Sequence, residues 1–267
     1  FKYDDIVDIP SSVFANVDSA VTISFWCYGD ANLMPFNSYI FEGRDLNGQR
    51  VINCHLPWSN SRVYWDAGNN GTGSYDRIHE LANINDFSGK WNHWAFTKDI
   101  NNGEMKAFLN GELFMSGTSK TRSMAGIVKF RIGGNAAANF NGVYDGKIDE
   151  FRVWNTALDD ITIKFWMNKS IDNTHPFYSN LQAAYNFDEE SGFVANDYSG
   201  NNRNGTLLGL PTWVNADLSL RGFDLTSTFN RPKFTFYKGT YNSHLDSVLF
   251  LDTNYYSPVS IIETLPY

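Results

Sequence analysis

Apolar and polar residues alternate along much of this chain in short runs. In VTISFWCYG, residues 21–29, Val, Ile, Phe and Cys occupy every second position, while Trp26 and Tyr28 add rings at the intervening positions. A period of two places successive side chains on opposite faces of a β-strand. Apolar bulk on both faces therefore predicts a central strand of a two-layer sandwich.

Similar runs recur along the chain and are separated by turns rich in Gly and Asn. The clearest are NSYIFEGRD, QRVINCHLPW, WNHWAFTKD, EMKAFLNG, IVKFRIGGN and GKIDEFRVWN. In LNGEL, Asn110 and Gly111 tolerate the positive φ of a type I′ turn and predict a two-residue hairpin. Many short strands joined by such turns predict an all-β fold, a two-sheet antiparallel jelly-roll sandwich.

One segment has a convincing helical period. In NTALDDITIKFWMN, Leu158, Ile161 and Phe165 recur at the spacing of one helix face, and Thr156 is a residue type that caps helix N-termini. We predict one short helix here, packed as a lid on the sandwich.

The composition excludes some functions and leaves one question open. The formal net charge is -8 and the sequence pI is about 5.1, so the surface repels phosphate backbones and nucleic-acid binding is not expected. No apolar run approaches the roughly 18 residues that span a bilayer, so we expect no membrane insertion. The two cysteines, Cys27 and Cys54, are compatible with a disulfide or with two buried thiols.

Several phrases, in their order and spacing, resemble one known family. They include VDIPSSVFANVDSAVTISFWCYGD, GKWNHWAFTKD, GEMKAFLNGELF, NGVYDGKIDEFRVWNTALDDITI and AAYNFDEESG, and they cover about residues 1–214. The chain resembles laminin-G-like domains of the concanavalin A-like lectin/glucanase superfamily, as in secreted multidomain proteins of Bacteroidetes. The resemblance implies a concanavalin A-like jelly roll whose core takes up the face of Trp94 and Phe96, with Trp91 and His93 on the opposite face.

The block at residues 181–214 departs from the family order. In the family such a block opens a domain, whereas here it follows the other phrases. It either supplies closing strands to one sandwich, as a circular permutation would, or begins a second domain. We favour the first, because a sandwich without these strands exposes open edges. We therefore predict a jelly roll over 1–214, and a linker and the start of a further β module over 215–267.

Catalysis is not expected from the acidic residues. Glucanases of this superfamily carry paired carboxylates in an E-x-D-x-E strand, because two acids must flank one glycosidic bond. That motif is absent from this sequence, and Asp149 and Glu150 are adjacent, so in a strand they face opposite ways. We predict that the chain is not an enzyme; the activity of a parent protein stays open.

Calcium is the expected cofactor. The cation takes six to eight oxygen ligands, and residues 188–205 hold an acidic turn followed by an Asn- and Gly-rich loop. The resemblance implies a structural Ca²⁺ that joins an aspartate of the KIDEF strand to this block. By this resemblance, the expected Ca²⁺ ligands are Asp149, Asp188, Asp197 and Asn202. The alternative is a solvated acidic loop with Asx turns.

A ligand surface is indicated by aromatic and polar residues close in sequence. Sugars bind to aromatic platforms and planar polar groups. The candidate ligand-binding residues are His55, Trp58, Tyr64, Asp66, Tyr75, Asp76 and Arg77. The alternative is that Trp65 and Tyr75 belong to the core and that Asp76 pairs with Arg77.

These observations predict a non-catalytic module that binds carbohydrate or glycoprotein and serves adhesion. We expect it to be part of a larger secreted or cell-surface bacterial protein, with a glycan, a glycoprotein or neighbouring domains of the parent chain as partners. Two alternatives stay open: a purely structural spacer, and an accessory domain of a glycan-active enzyme.

Overall fold

The computed structural model describes residues 5–68, 74–137, 142–209 and 211–214, together with the strands at 248–251 and 258–261. In chain order the strands are β1 (Ile6–Ile9), β2 (Ala20–Gly29), β3 (Phe41–Arg44), β4 (Arg50–His55), β5 (Arg62–Ala67), β6 (Asp76–Leu81), β7 (Asn92–Asp99), β8 (Glu104–Leu109), β9 (Glu112–Gly117), β10 (Lys129–Ile132), β11 (Gly146–Trp154), β12 (Leu181–Tyr185), β13 (Val194–Ala195), β14 (Gly205–Leu208), β15 (Val248–Leu251) and β16 (Pro258–Ile261). The α-helices are α1 (Ile84–Phe87) and α2 (Asp160–Trp166), and single 3-10 turns lie at Ser11–Phe14 and Tyr178–Asn180.

The strands form two antiparallel sheets packed face to face. The larger sheet has eight strands in the order β13-β14-β1-β10-β3-β4-β5-β6, and the smaller has six in the order β12-β11-β2-β7-β8-β9. Among the described strands, β15 and β16 pair with each other in a separate two-stranded sheet. The predicted jelly-roll sandwich is confirmed. Among the described residues, no helix has the length and apolar character needed to cross a membrane.

The interior between the sheets is built from stacked aromatic rings. Phe25 of the smaller sheet packs against Phe41 of the larger sheet, with ring centroids 6.1 Å apart, and against Phe96 and Phe151 on either side. Trp94 stacks on Phe96 at 5.8 Å. All five side chains are fully buried, so the prediction that the Trp94 face belongs to the core is confirmed.

A second, smaller core lies on the outer side of the smaller sheet, beneath α2. It contains Ala95, Phe108, Trp154, Leu158, Ile163, Leu181 and Ala184. The helix begins at Asp160, because Asp159 accepts a hydrogen bond from the Thr162 backbone N at 2.6 Å. The predicted cap at Thr156 is therefore wrong by three residues.

The residues before α2 are held by the sheet. The Thr22 hydroxyl donates to the Thr156 carbonyl at 2.7 Å and accepts from the Leu158 backbone N at 2.9 Å. This tertiary contact keeps the segment non-helical. The single helix expected from sequence is joined by α1, a one-turn helix with a capping box between Asn83 and Asp86, which is too short to show a period.

Local turn chemistry behaved as expected. Asn110 and Gly111 have φ of 52° and 81° and join β8 to β9 in a two-residue turn. The cysteines are both buried and free. Cys27 lies on β2 and Cys54 on β4, in opposite sheets, so the alternative of two buried thiols holds.

The strands of the 181–214 block join both sheets. β12 pairs with β11, for example at Phe151 and Tyr185, and β14 pairs with β1 at Val7 and Leu207. The proposed boundary at residue 214 stays a prediction, because residues 215–247, 252–257 and 262–267 lie outside the described residues.

Truncation tests the contribution of this block. A fragment of residues 1–214 should unfold in one cooperative transition, whereas a fragment of residues 1–180 should aggregate or unfold, because it leaves the edges of β1 and β11 unpaired. Circular dichroism and denaturant titration measure both. A 1–180 fragment as stable as 1–214 would make the block an independent unit.

Three buried histidines predict a loss of stability in acid. Burial lowers the pKa of His55 to about 4, of His93 to about 3 and of His175 to about 4, and Arg152 adds to the shift at the last two. In the unfolded chain a histidine titrates near 6.5. Below about pH 6.5 the unfolded chain therefore binds more protons than the folded chain. The contribution of the three histidines to the unfolding free energy is complete above that pH and is lost as the pH falls towards 4.

Urea titrations between about pH 7 and 4.5 should show this loss, at up to about 1.4 kcal/mol per pH unit for each histidine. His93→Gln should flatten the pH dependence. The same pH dependence in wild type and His93→Gln would show that His93 does not contribute.

Candidate functional site

A row of polar side chains crosses the outer face of the larger sheet. The strand registers place one residue on each of six neighbouring strands, and we call these residues the polar row: Asp8, Arg131, Glu42, Asn53, Asp66 and Arg77. Their chain neighbours, such as Phe41 and Trp65, are buried in the core. Because side chains alternate along a strand, the polar row faces away from the core.

Arginines neutralise the two buried carboxylates of the row. Arg77 donates from Nε and Nη2 to the two oxygens of Asp66, at 2.5 and 2.6 Å. Glu42 accepts from the Nε atoms of Arg44 and Arg50 at 2.6 and 2.7 Å, and from the Ala136 backbone N at 2.9 Å. Both carboxylate side chains are 0% exposed. Charges buried so completely are stable only when paired and hydrogen-bonded.

Aromatic rings surround these ion pairs. We call the following set the aromatic face: Tyr39, His55, Trp58, Tyr64 and Tyr75, with the guanidinium groups of Arg50 and Arg77. The His55 ring lies 4.3 Å from Trp58 and 4.5 Å from Tyr39, between centroids. The four rings other than His55 are half-buried, so they are ordered by packing and still reachable.

The guanidinium groups stack on the tyrosines. Arg77 lies 4.9 Å from the centroid of Tyr64 and 5.9 Å from that of Tyr75. Arg50 lies 5.2 Å from Tyr39 and 5.6 Å from Tyr75. Such cation–π contacts fix the planes of ring and guanidinium relative to each other. The result is a preorganised surface of flat apolar groups and planar donors.

His55 is a structural member of this face. Its Nδ1 donates to the Ser38 carbonyl at 2.8 Å, and burial lowers its pKa to about 4. The ring is therefore neutral near pH 7 and supports Trp58 by packing.

Six of the seven predicted ligand-binding residues come together on this surface. The seventh, Asp76, lies elsewhere, because its carboxylate accepts from Lys98 Nζ at 2.8 Å and from the Arg122 backbone N at 2.8 Å. The alternative pairing of Asp76 with Arg77 is not formed, since Arg77 pairs with Asp66. Trp65 is in the core, whereas Tyr75 is only half-buried.

Sequence reasoning missed two residues of the aromatic face, Tyr39 and Arg50, and four of the polar row, Asp8, Arg131, Glu42 and Asn53. A signal was present, because alternation in FEGR and in INCH, residues 52–55, puts Glu42 and Asn53 on the face opposite Phe41 and Cys54. A polar residue at the centre of an otherwise apolar strand marks a position that needs partners.

A concavity lies elsewhere on the sandwich, at the end of β2 and the start of β11. It has a volume of about 460 Å³ and is lined by the end of β2, the start of β11 and residues 211–214, with Tyr28, Trp91 and Trp213 among its aromatic side chains. Of the four predicted calcium ligands, Asp149 alone lines it. The cavity shares no residue with the aromatic face.

Among the predicted calcium ligands, Asp197 is an acceptor for backbone N–H groups. Asp197 Oδ1 accepts from the backbone N atoms of Ala184 and Ser199, both at 3.0 Å, and Oδ2 accepts from that of Arg203 at 2.9 Å. Within the part of the chain that the structure describes, no three His, Cys, Asp or Glu side chains converge so as to hold a metal ion. Asp197 thus organises a turn, and calcium binding stays a prediction.

The carboxylates of the polar row and of β11 accept hydrogen bonds from nearby groups. Glu42 and Asp66 are enclosed by their arginines. Glu150 lies at an irregularity of β11 with φ of 51° and accepts from Arg152 Nη2 at 2.8 Å, while Asp149 accepts from the Glu150 backbone N. These contacts hold each carboxylate as an acceptor.

Comparisons with known proteins agree with this fold. The family model Laminin_G_3, described as the concanavalin A-like lectin/glucanases superfamily, matches residues 1–164. A proposed carbohydrate-binding protein from Bacteroides ovatus is similar in structure, with 20% sequence identity and a TM-score of 0.55 over 77% of this chain and 56% of that chain. The chain thus spans little more than half the length of that protein.

A further similar structure is the CBM40 domain of a Ruminococcus gnavus sialidase, bound to α2,3-sialyllactose. It has 16% identity and a TM-score of 0.48, over 60% of this chain and 92% of that one. No curated protein matches the chain by sequence. At 20% identity, the likeness to the Bacteroides ovatus protein shows the fold alone.

Replacing Asp197 tests its role in the turn. Asp197→Ala leaves three backbone N–H groups without their acceptor and should cost roughly 1–3 kcal/mol of unfolding free energy. The loss should be the same in millimolar Ca²⁺ and in chelator. If Asp197 were instead a calcium ligand, wild type and variant would differ in Ca²⁺ and converge in chelator.

Proposed function

The chain belongs to the concanavalin A-like lectin/glucanase superfamily, and from this we propose that it is a glycan-binding module whose binding surface is the aromatic face. The observation that carries the proposal is the joint presence of half-buried rings and arginine-held carboxylates on one outer sheet surface. Saccharides present apolar C–H faces and hydroxyl groups, and they need both kinds of partner.

The rings supply the apolar part of the surface. Trp58 and Tyr64 both pack on the edge of His55, and the Tyr64 hydroxyl accepts from Asn60 Nδ2 at 2.8 Å. Their positions are therefore fixed before a ligand arrives. A fixed platform loses little conformational entropy on binding.

We propose that the module is non-catalytic. A glycosidase needs one carboxylic acid that donates a proton and a second carboxylate that attacks or activates water. The buried carboxylates of the polar row each accept two hydrogen bonds from guanidinium groups. They serve better to orient arginines than to exchange protons with a substrate.

The Bacteroides ovatus protein is itself a proposed carbohydrate-binding protein, which makes glycans the first ligand class to test. We further propose that the parent protein is secreted or displayed on the cell surface and that the module supports adhesion. A module with this role places a larger protein on a glycan without changing the glycan.

A glycan array followed by calorimetry tests the proposal. The wild-type chain should bind at least one glycan class, and Trp58→Ala or Tyr64→Ala should weaken binding about tenfold, since removing one stacking platform costs about 1–2 kcal/mol. Tyr198→Ala, at an exposed ring outside the face, should bind like wild type. The absence of glycan binding would favour a structural spacer.

A further inference from the structure

The charges on the aromatic face point to a narrower class of ligand. We propose that the face binds an anionic glycan, one whose sugars carry carboxylate or sulfate groups, and that Arg50 and Arg77 are the residues that recognise the acidic group. The inference rests on the proposed function and specifies its ligand.

The outer face of the larger sheet is cationic although the chain is acidic. Among the residues that the structure describes, the charged positions on this face of β1, β10 and β3–β6 carry six cations and three carboxylates: Arg44, Arg50, Arg62, Arg77, Lys129 and Arg131, against Asp8, Glu42 and Asp66. The whole chain has a formal charge of -8. The cations are therefore concentrated on one side.

Exposure makes the face more cationic still. The side chains of Glu42 and Asp66 are 0% exposed, whereas those of Arg77, Arg44 and Arg50 are 42%, 23% and 17% exposed. An approaching ligand meets guanidinium groups, with the carboxylates behind them. The carboxylates offset the repulsion between neighbouring arginines and hold each guanidinium group in place.

Both arginines keep donors for a ligand. Arg77 uses Nε and Nη2 for Asp66, and Arg50 uses Nε for Glu42 and Nη2 for the Tyr39 hydroxyl at 3.0 Å. Among the described contacts, the Nη1 group of each arginine makes no hydrogen bond. Both guanidinium carbons lie within 6 Å of the Tyr75 ring centroid, so two unused donors border one ring. The planar fork of arginine matches carboxylate and sulfate oxygens.

Asn53 adds an independent observation. It lies between Glu42 and Asp66 in the polar row, it is 0% exposed, and both its Oδ1 and Nδ2 atoms lack a hydrogen-bond partner. Buried amides in proteins are normally satisfied, and each exception needs an explanation. An amide offers donors and an acceptor together, which suits the hydroxyl groups that neighbour the acidic group of a uronic acid.

A matched pair of ligands isolates the charge. Calorimetry should compare oligogalacturonate with the same oligomer as its methyl ester, and a heparin oligosaccharide supplies the sulfate arm. The acid should bind about tenfold tighter than the ester, the ratio expected from one added charge-assisted hydrogen bond. Raising NaCl from about 50 to 500 mM should weaken binding of the acid and leave the ester unchanged.

A double variant tests the arginine without leaving a buried charge unpaired. Arg77→Gln with Asp66→Asn removes both partners of the ion pair and should reduce the ratio of the affinity for the acid to the affinity for the ester. The matched control is Lys164→Gln with Glu112→Gln, which removes an exposed ion pair elsewhere. The control should retain the preference.

Each outcome gives a decision. Tighter binding of oligogalacturonate than of its ester supports the inference and names carboxylate as the group. Because heparin carries carboxylate and sulfate groups, tight binding of heparin with equal affinity for acid and ester supports the inference and names sulfate. Equal affinity for acid and ester without binding of heparin, or a glycan array with neutral glycans only, overturns the inference while the proposed function stands. Failure to bind any glycan, acidic or neutral, overturns the proposed function and the inference with it.

Discussion

The contact on which the rest of the molecule depends is the packing of Phe25 against Phe41 across the two sheets, flanked by Phe96 and Phe151. These rings fill the interior, so the strands that carry them must direct every second side chain inwards. Side chains available for recognition are then limited to the alternate positions. The polar row follows from this constraint, because it consists of the outward neighbours of core residues on six adjacent strands.

The buried carboxylates of the outer face account for the arrangement of arginines and tyrosines in the aromatic face. Glu42 and Asp66 are covered completely, and an unpaired buried charge would cost several kcal/mol. Arginines supply the partner, and their flat guanidinium groups in turn need apolar cover. Tyr39, Tyr64 and Tyr75 provide that cover through cation–π contacts. One set of contacts thereby holds the face rigid and leaves its rings half-exposed, which is what a preformed binding surface requires.

The parts of the structure that could be predicted are those decided by local chemistry. The Asn110–Gly111 turn follows from two residues that tolerate positive φ, and the opposite faces of Trp94 and His93 follow from a period of two. The start of α2 required knowledge of Thr22, which is more than a hundred residues away in sequence. Calcium ligands carried over from a resemblance did not reveal that Asp197 is already bound to three backbone N–H groups.

The candidate site was predictable in part for a topological reason. β4, β5 and β6 are consecutive and adjacent, so His55, Tyr64 and Arg77 are close both in sequence and in space. Tyr39 and Glu42 come from β3 and the segment before it, and the register that aligns Glu42 with Asn53 cannot be read from either strand alone. Asp76 was misplaced because a one-residue step along a strand moves a side chain to the other face.

Cationic side chains are concentrated on one outer face of the sandwich. If the ligand is the anionic glycan proposed above, the arginines gathered on one outer sheet surface of this acidic chain attract it to that surface, so that encounters are guided to the aromatic face before contacts form. Paired carboxylates behind the arginines limit the net charge there, which keeps the attraction specific to groups that fit the guanidinium forks. In the proposed role, the same ion pairs serve the fold, by allowing carboxylates to be buried, and recognition, by fixing where the donors point.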